Sequence, residues 1–337
     1  MNAFTISDWT AYPFASQNRK DFFNLLDVYL DAVFFSRLHE LDFRQEGHRL
    51  EFTDTSGKTL EYKGVVYNEM KGAMSAPVSI LWQTLTRYLY PTTTYHHNSG
   101  GEPEHIPDLS YEQLKAFYRV HYHPSNAVFM TYGDIPAAEL QARFEQNALN
   151  RFDCLEERIE VPDEKRYYAP VRVEEYYAAD PSGDDEPKTH IVLGWLLGNS
   201  TDLNQRMRAE LFASLLLENS ASPLRKALET SDLGTAPSPL CGVDDSCREM
   251  SFICGLEGCN PTRAGEVEAM ILRVLREVAE RGVPQEDLEA SLHQLELEQR
   301  EVGGDGYPYG LQIILAGLNS AIHRGDPIAL LNLDPVI

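Results

Sequence analysis

The stretch Tyr62-Lys63-Gly64-Val65-Val66-Tyr67-Asn68-Glu69-Met70-Lys71-Gly72 carries one acid, Glu69, among residues able to wind into a helix. Val65 and Val66 supply apolar packing before it, and an apolar pattern through Ile80, Leu81, Leu85 and Leu89 follows it. This arrangement predicts that the carboxylate rides on a partly buried helical stretch. A buried carboxylate needs a partner, and a metal ion is one candidate. On residue type alone, a lone Glu on a helix is more often a solvated charge or half of a salt bridge.

Upstream, a hairpin delivers the chain to this helix: Leu50-Glu51-Phe52 and Leu60-Glu61-Tyr62 flank the turn Asp54-Thr55-Ser56-Gly57. From Asn18 to Leu41 the residues Phe22, Leu25, Leu26, Tyr29, Leu30, Val33 and Phe34 recur at helical spacing, with Asn18 or Ser16 as N-cap. Such a stripe is a core-facing helix. The chain opens on Asn2-Ala3-Phe4-Thr5-Ile6, a strand-like run in which Phe4, Ile6, Trp9, Ala11 and Phe14 roughly alternate.

Downstream, Pro91 to Pro107 reads as a polar loop containing His96-His97 and Ser99-Gly100-Gly101. Two adjacent His cannot face one point from a strand or a helix, which argues against metal binding by that pair. A helix is predicted from Leu109 to His121, opened by Ser110 with Gln113 at the capping-box position and stopped before His123-Pro124. A strand over Asn126–Tyr132 and an amphipathic helix from Pro136 to Phe152 follow.

Residues 1–161 and 162–337 read as two units. The stretch from Asp163 to Lys188 clusters Pro, Gly and charge, notably Asp180-Pro181-Ser182-Gly183-Asp184-Asp185-Glu186-Pro187, around a strand-like Val171–Tyr177. Strands are predicted at Thr189–Leu196 and Cys247–Gly255, with helices at Thr201–Leu217, Thr262–Arg281 and Pro284–Glu301. The sum is an α+β fold of layered domains, each a mostly antiparallel or mixed sheet with helices packed on it. Gly303-Gly304-Asp305-Gly306 lacks the Gly-Lys-Ser/Thr ending of a phosphate loop and reads as a turn.

Against 29 Lys and Arg stand 52 Asp and Glu, a net charge of -23, which disfavours nucleic acid or an anionic membrane as partner. The same field attracts cationic ligands at low salt, unless it serves only solubility. Five cysteines, Cys154, Cys241, Cys247, Cys254 and Cys259, are an odd number without C-x-x-C spacing, which points to reduced thiols and a cytoplasmic or other intracellular compartment. No apolar run approaches a membrane span, and the N-terminus carries no signal-peptide pattern.

Several separated motifs in order carry a resemblance: Asn2-Ala3-Phe4-Thr5, Tyr62 to Gly72, Ser99-Gly100-Gly101 with Ile106-Pro107-Asp108-Leu109-Ser110, and Phe117 with His121-Tyr122-His123-Pro124-Ser125-Asn126. In the second half Thr189-His190-Ile191-Val192-Leu193-Gly194-Trp195 and Tyr309-Gly310-Leu311 also fit. Together they resemble the pitrilysin (insulinase, M16) superfamily of zinc metallopeptidases, in wording closest to its presequence protease branch. The resemblance implies a Zn²⁺ held by two His of an H-x-x-E-H motif and a distal Glu, with the Glu inside the motif activating water. Glu69 matches the distal ligand, and Asn2, Ala3 and Phe4 match an edge strand that pairs with the substrate backbone.

Neither H-x-x-E-H nor H-E-x-x-H occurs; His39-Glu40-Leu41-Asp42-Phe43 comes nearest and lacks the second His. The catalytic base and two metal ligands are therefore absent, so no catalytic residue is assigned. Because the family's motif lies shortly upstream of the Asn-Ala-Phe-Thr strand, truncation is the expected cause. As it stands the chain is expected to be inactive and to bind no tight zinc, with peptides, basic ones by charge, and the remaining half of the parent protein as partners. An unpaired sheet edge and apolar surface on the Asn18–Leu41 helix are expected to favour self-association. The alternative is a non-catalytic structural or binding subunit of the same superfamily.

Overall fold

The computed structural model of the chain describes residues 2–156, 159–178, 188–300, 303 and 306–331. In chain order the elements are β1 (Phe4–Thr5), β2 (Thr10–Ala11), α1 (Arg19–Phe34), α2 (Glu40–Asp42), β3 (Arg49–Phe52), β4 (Leu60–Lys63), α3 (Val65–Ala73), α4 (Pro77–Leu89), α5 (Tyr111–His121) and α6 (Ala137–Asn147). They continue as β5 (Thr189–Asn199), α7 (Leu203–Leu217), α8 (Pro223–Glu229), β6 (Ala236–Pro237), β7 (Gly242–Asp244), β8 (Glu249–Cys259), α9 (Ala264–Arg281), α10 (Gln285–Arg300) and α11 (Tyr309–Ile322). Two compact units result, one of Met1–Ala76, His97–Pro162 and Gly304–Ala316, the other of Pro77–His96, Asp163–Gly303 and Gly317–Ile337.

In the first unit the stripe on α1 buries Leu26, Leu30 and Phe34 against Leu140, Phe144 and Ala148 at α6. Asn18 caps α1 by accepting from the amides of Lys20 and Asp21. The helix ends at Phe34, short of Leu41, because Tyr118 of α5 takes its last polar groups. The Tyr118 hydroxyl donates to Val33 O and accepts from the Ser36 amide, and Leu38 then turns left-handed at φ 41°. At α5 the capping box is complete, with Ser110 Oγ accepting from the Gln113 amide and the Gln113 side chain accepting from the Ser110 amide. Strand content here is two short antiparallel pairs, β1 with β2 and β3 with β4.

The second unit is built on β5 and β8, eleven residues each and antiparallel, with β6 and β7 on the other side of β8. Alternation along β5 separates two faces. Ile191, Leu193, Trp195 and Leu197 pack against a core of Leu216, Leu224, Leu228, Val267, Ile271 and Val274 from α7, α8 and α9. Gly194, pointing the other way, faces Leu85 and Leu89 of α4, whose side chains fill the space a Cβ would take. The sheet is thus a layer between α4 and the α7–α9 helices, and β8 within it is buried almost throughout.

Four sequence expectations change. The apolar run after Glu69 is not one helix with it: the chain turns at Ser75-Ala76 and Pro77 opens α4, as a residue without an N–H can at a first turn. Asn126 ends a 3-10 turn (Pro124–Asn126) and the residues after it join no ladder, and Val171–Tyr177 is likewise unpaired. Periodicity marks which residues suit a strand, whereas pairing needs a neighbour. The fourth change is where apolar surface lies. On α1 only Val28 is strongly exposed, whereas Leu50, Phe52, Leu60 and Tyr62 share the exposed face of the β3–β4 hairpin. The run Asp180–Pro187, and Gly304 and Asp305 of the glycine turn, lie outside the described residues.

A buried carboxylate ties the second unit together where the chain enters it. Glu164 Oε2 accepts from the amides of Thr92 and Thr93, both at 3.0 Å, and Oε1 accepts from the Thr92 hydroxyl. The Glu164 amide in turn donates to Glu249 at the start of β8, beside Arg166. Burial alone pushes the Glu164 carboxyl up, but the donors on Thr92, Lys165 and Thr93 outweigh it and hold it below the ordinary range. A carboxyl lowered on folding stabilises fully above the unfolded pKa of about 4.3, and that contribution is lost as pH falls through the folded value. Glu164→Gln is expected to cost about 1–3 kcal/mol at neutral pH. Its melting temperature should converge on that of the wild type in acid, and calorimetry showing a constant offset at every pH would refute this.

Candidate metal-ligand helix

Three contacts fix α3, and none of them buries its carboxylate. At the end of the β3–β4 hairpin Gly64 packs on the main chain of Gly47, so closely that a methyl group there would sit 2.0 Å from the Gly47 carbonyl oxygen. Gly100 receives Met70 in the same way, with the sulfur 2.0 Å from where a Cβ would be. Gly64 and Gly100 therefore let α3 approach its neighbours closely. Aromatic rings complete the support: Tyr67 on Tyr62, Tyr62 on His48, His48 on Phe43 and Phe43 on Tyr111, with centroids 5.4–6.4 Å apart. His48 Nε2–H donates to Leu109 O at 2.8 Å. Spacing in the sequence offered no signal for this chain of rings, because its five members come from separate elements.

Glu69 itself is exposed, and it makes no hydrogen bond or ion pair among the described residues. The helix is partly buried, at Tyr67 and Met70, but Val65 and Val66 lie 53% and 38% exposed instead of packing inward. Helix α3 meets the rest of the unit along Met70 and Tyr67, which leaves the remaining surface without a covering layer. The salt-bridge reading of Glu69 is also set aside, since Lys63 pairs with Glu61 and Glu51 instead.

Asn2, Ala3 and Phe4 lie at the opening strand. The Asn2 amide donates to the Tyr29 hydroxyl at 3.0 Å, Asn2 and Ala3 precede β1, and Phe4 pairs with Ala11 across to β2. Among the described residues β1 has no strand on its other side, and no polar contact joins these residues to Glu69. His96 is engaged elsewhere, its Nδ1–H donating to Arg87 O at 3.0 Å. All five cysteines are free thiols, and burial pushes Cys241, Cys254 and Cys259 up, away from the thiolate a metal would need.

A zinc ion of the kind implied by the resemblance needs three protein ligands. Among the described residues no group of three or more His, Cys, Asp or Glu could hold a metal ion. The donor set does not fit a complete site; Glu69 can offer one carboxylate to it.

Residues 108–295, more than half of the chain, match the Peptidase M16 inactive domain, and the chain belongs to the M16 peptidase family. Among its relatives is the mitochondrial presequence protease of Xenopus tropicalis, 41% identical over 336 residues, covering 99% of this chain and 32% of that protein. Presequence protease 1, chloroplastic/mitochondrial, of Arabidopsis thaliana is 38% identical over 331 residues, covering 97% and 30%. The chain thus spans about a third of the length of these relatives. The first half of the periplasmic protease PqqL from Escherichia coli shares the fold with TM-score 0.59 at 12% identity, over 98% of this chain and 67% of that one.

The contacts that hold α3 are testable by adding one methyl group. Gly64→Ala must displace main chain and is expected to cost more than about 3 kcal/mol, whereas Gly72→Ala, in the same helix with open space around it, should stabilise by about 0.5–1 kcal/mol. Urea denaturation curves that show the two variants alike would overturn this account of α3.

Proposed function

We propose that this chain is part of a zinc-dependent metalloendopeptidase that degrades short unfolded peptides, and that its contribution is one metal ligand, Glu69, together with a main-chain docking strand at Asn2, Ala3 and Phe4. The observation that carries the reading is the 41% identity to a presequence protease along nearly the whole chain. The state of Glu69 supports it. A ligand carboxylate has to be ionised, accessible and held by something other than its own oxygens, and Glu69 is exposed and unpaired on a helix held by glycine contacts and rings. The two His and the general base would come from parts of the longer protein outside these residues. The exposed apolar face of the β3–β4 hairpin offers further polypeptide a place to dock.

In such an enzyme Glu69 would help to hold a zinc ion, which would supply Lewis-acid chemistry for peptide hydrolysis. This chain's own part is to hold a carboxylate in place and to present the main chain of β1 to an extended peptide. A net charge of -23 favours basic peptides and makes their capture salt-sensitive. Five free thiols suit a reducing compartment. An open edge at β1 would also serve association between copies of the isolated chain.

A second reading, a non-catalytic subunit, draws on the match of residues 108–295 to a domain described as inactive. Glu69 lies outside that match. The two readings separate in the full-length protein carrying these residues, assayed on an unstructured basic peptide with zinc counted by elemental analysis. Glu69→Ala is expected to lower turnover by at least about a hundred-fold and to release zinc, while in the isolated chain, where its carboxylate has no partner, it should leave thermal stability unchanged. A wild-type protein that neither cleaves the peptide nor holds zinc would favour the subunit. The 337-residue chain alone is expected to bind no stoichiometric zinc; one zinc per chain, lost in Glu69→Ala, would show that the site is complete here.

A further inference from the structure

Strand β5 pairs with β8 on one side and, among the described residues, with no strand on the other. Every second residue of such a strand turns its N–H and C=O toward the open edge. Residues 166–177 are tied to both ends of that strand by side chains. Arg166 donates to Leu197 O at 3.0 Å near one end, Tyr177 donates through its hydroxyl to Lys188 O at 2.7 Å near the other, and the Tyr177 ring lies against His190. The direction is antiparallel and the lengths match. Yet Val171–Tyr177 makes no main-chain hydrogen bond, and Val171, Val173 and Tyr176 are 49%, 41% and 85% exposed.

The side chains of the segment already sort onto the two faces of the sheet. Arg172 forms a two-bond ion pair with Glu268 of α9, on the face of Leu193 and Trp195. Glu175 accepts from the Tyr88 hydroxyl of α4 at 3.0 Å, on the face of Gly194, as Tyr177 does beside His190. Residues directly opposite in an antiparallel pair point to the same face. Tyr177 opposite Lys188 satisfies this sorting, and the same register sets Val173 opposite Val192 and Val171 opposite Gly194. A slip of one residue would send Arg172 and Glu175 to the wrong helices.

We propose that Val171–Tyr177 is a tethered edge strand that closes onto β5 in this register, with Val173 opposite Val192. While closed it denies the outer edge of β5 to strands of other chains; while open it leaves a template for β-augmentation. The occupant is this chain's own segment because, among the described residues, only it has contacts to both ends of β5. Its Arg172 and Glu175 act as guides that keep the register when the main chain is released.

The test is a pair of cysteines in the 337-residue chain. Val173→Cys with Val192→Cys is expected to form an intramolecular disulfide in air, located by mass spectrometry of tryptic peptides, and Val173→Cys with Leu193→Cys, which point to opposite faces, should form at least ten-fold less. Hydrogen exchange supplies a reading without cysteines: Val173→Pro should speed exchange of β5 amides at least ten-fold and leave β8 unchanged. Equal disulfide yields in the two pairs, or β5 exchange indifferent to Val173→Pro, would overturn the proposal. A disulfide between chains from the matched pair would also overturn it, by assigning the edge to a second copy.

Discussion

Pairing of β5 with β8 is the constraint on which the second unit depends. Two eleven-residue antiparallel strands create a surface with two apolar faces, and water can be excluded from both only if helices cover both. Helices α7–α9 do so on one side through a continuous core, and α4 does so on the other by laying Leu85 and Leu89 over Gly194. The burial of β8 has a polar consequence at its start. Glu249 is a charge brought to the rim of the core, and the structure meets it with Arg166 and the Glu164 amide. Glu164 in turn gathers the amides of Thr92 and Thr93, so one network of carboxylates closes the backbone where three stretches of chain converge.

Positioning in the first unit follows a different logic. Helix α3 is held by close backbone approach and by rings at its edge, with little apolar burial. A helix held in that way can keep a carboxylate in a fixed place without engaging it. Burying Glu69 would have raised its pKa or required a partner, and either would lower its availability to a cation. The β3–β4 hairpin shows a related inversion. Its charged face, Arg49, Glu51, Glu61 and Lys63, is internally paired, whereas its apolar face, Leu50, Phe52, Leu60 and Tyr62, meets solvent. Apolar surface of that kind stays exposed because the charged side chains of the hairpin pair with one another and leave its other face uncovered.

Much of the local structure was legible in the residues. Asn18 as a cap, the capping box from Ser110 to Gln113, the hairpin around Asp54 and the breaks before His123-Pro124 depend on hydrogen bonds and dihedral limits within a few residues, which any context must obey. The alternation along Thr189–Leu196 and the stripes of the helices were readable for the same reason. Glu69 was singled out by motif and stands on the predicted helix. Its environment was not readable, because burial is a property of what lies above a helix face, and that is decided by residues far away in the chain.

Two strand-like runs show where local reading stops. Asn126–Tyr132 and Val171–Tyr177 have the composition of strands, but neither has a ladder among the described residues. What the sequence by itself determined is which residues favour helix, strand or turn, where helices start and stop, and that the chain carries Glu69 in a family-like stretch but no H-x-x-E-H motif. Tertiary structure alone decided which strands find partners, that Glu69 stands exposed and unpaired, and that Gly64 and Gly100 are the points through which α3 is held. The physical reason is range: propensity and capping act over one turn of chain, whereas hydrogen-bond ladders, burial and close packing require segments distant in sequence to arrive at the same place.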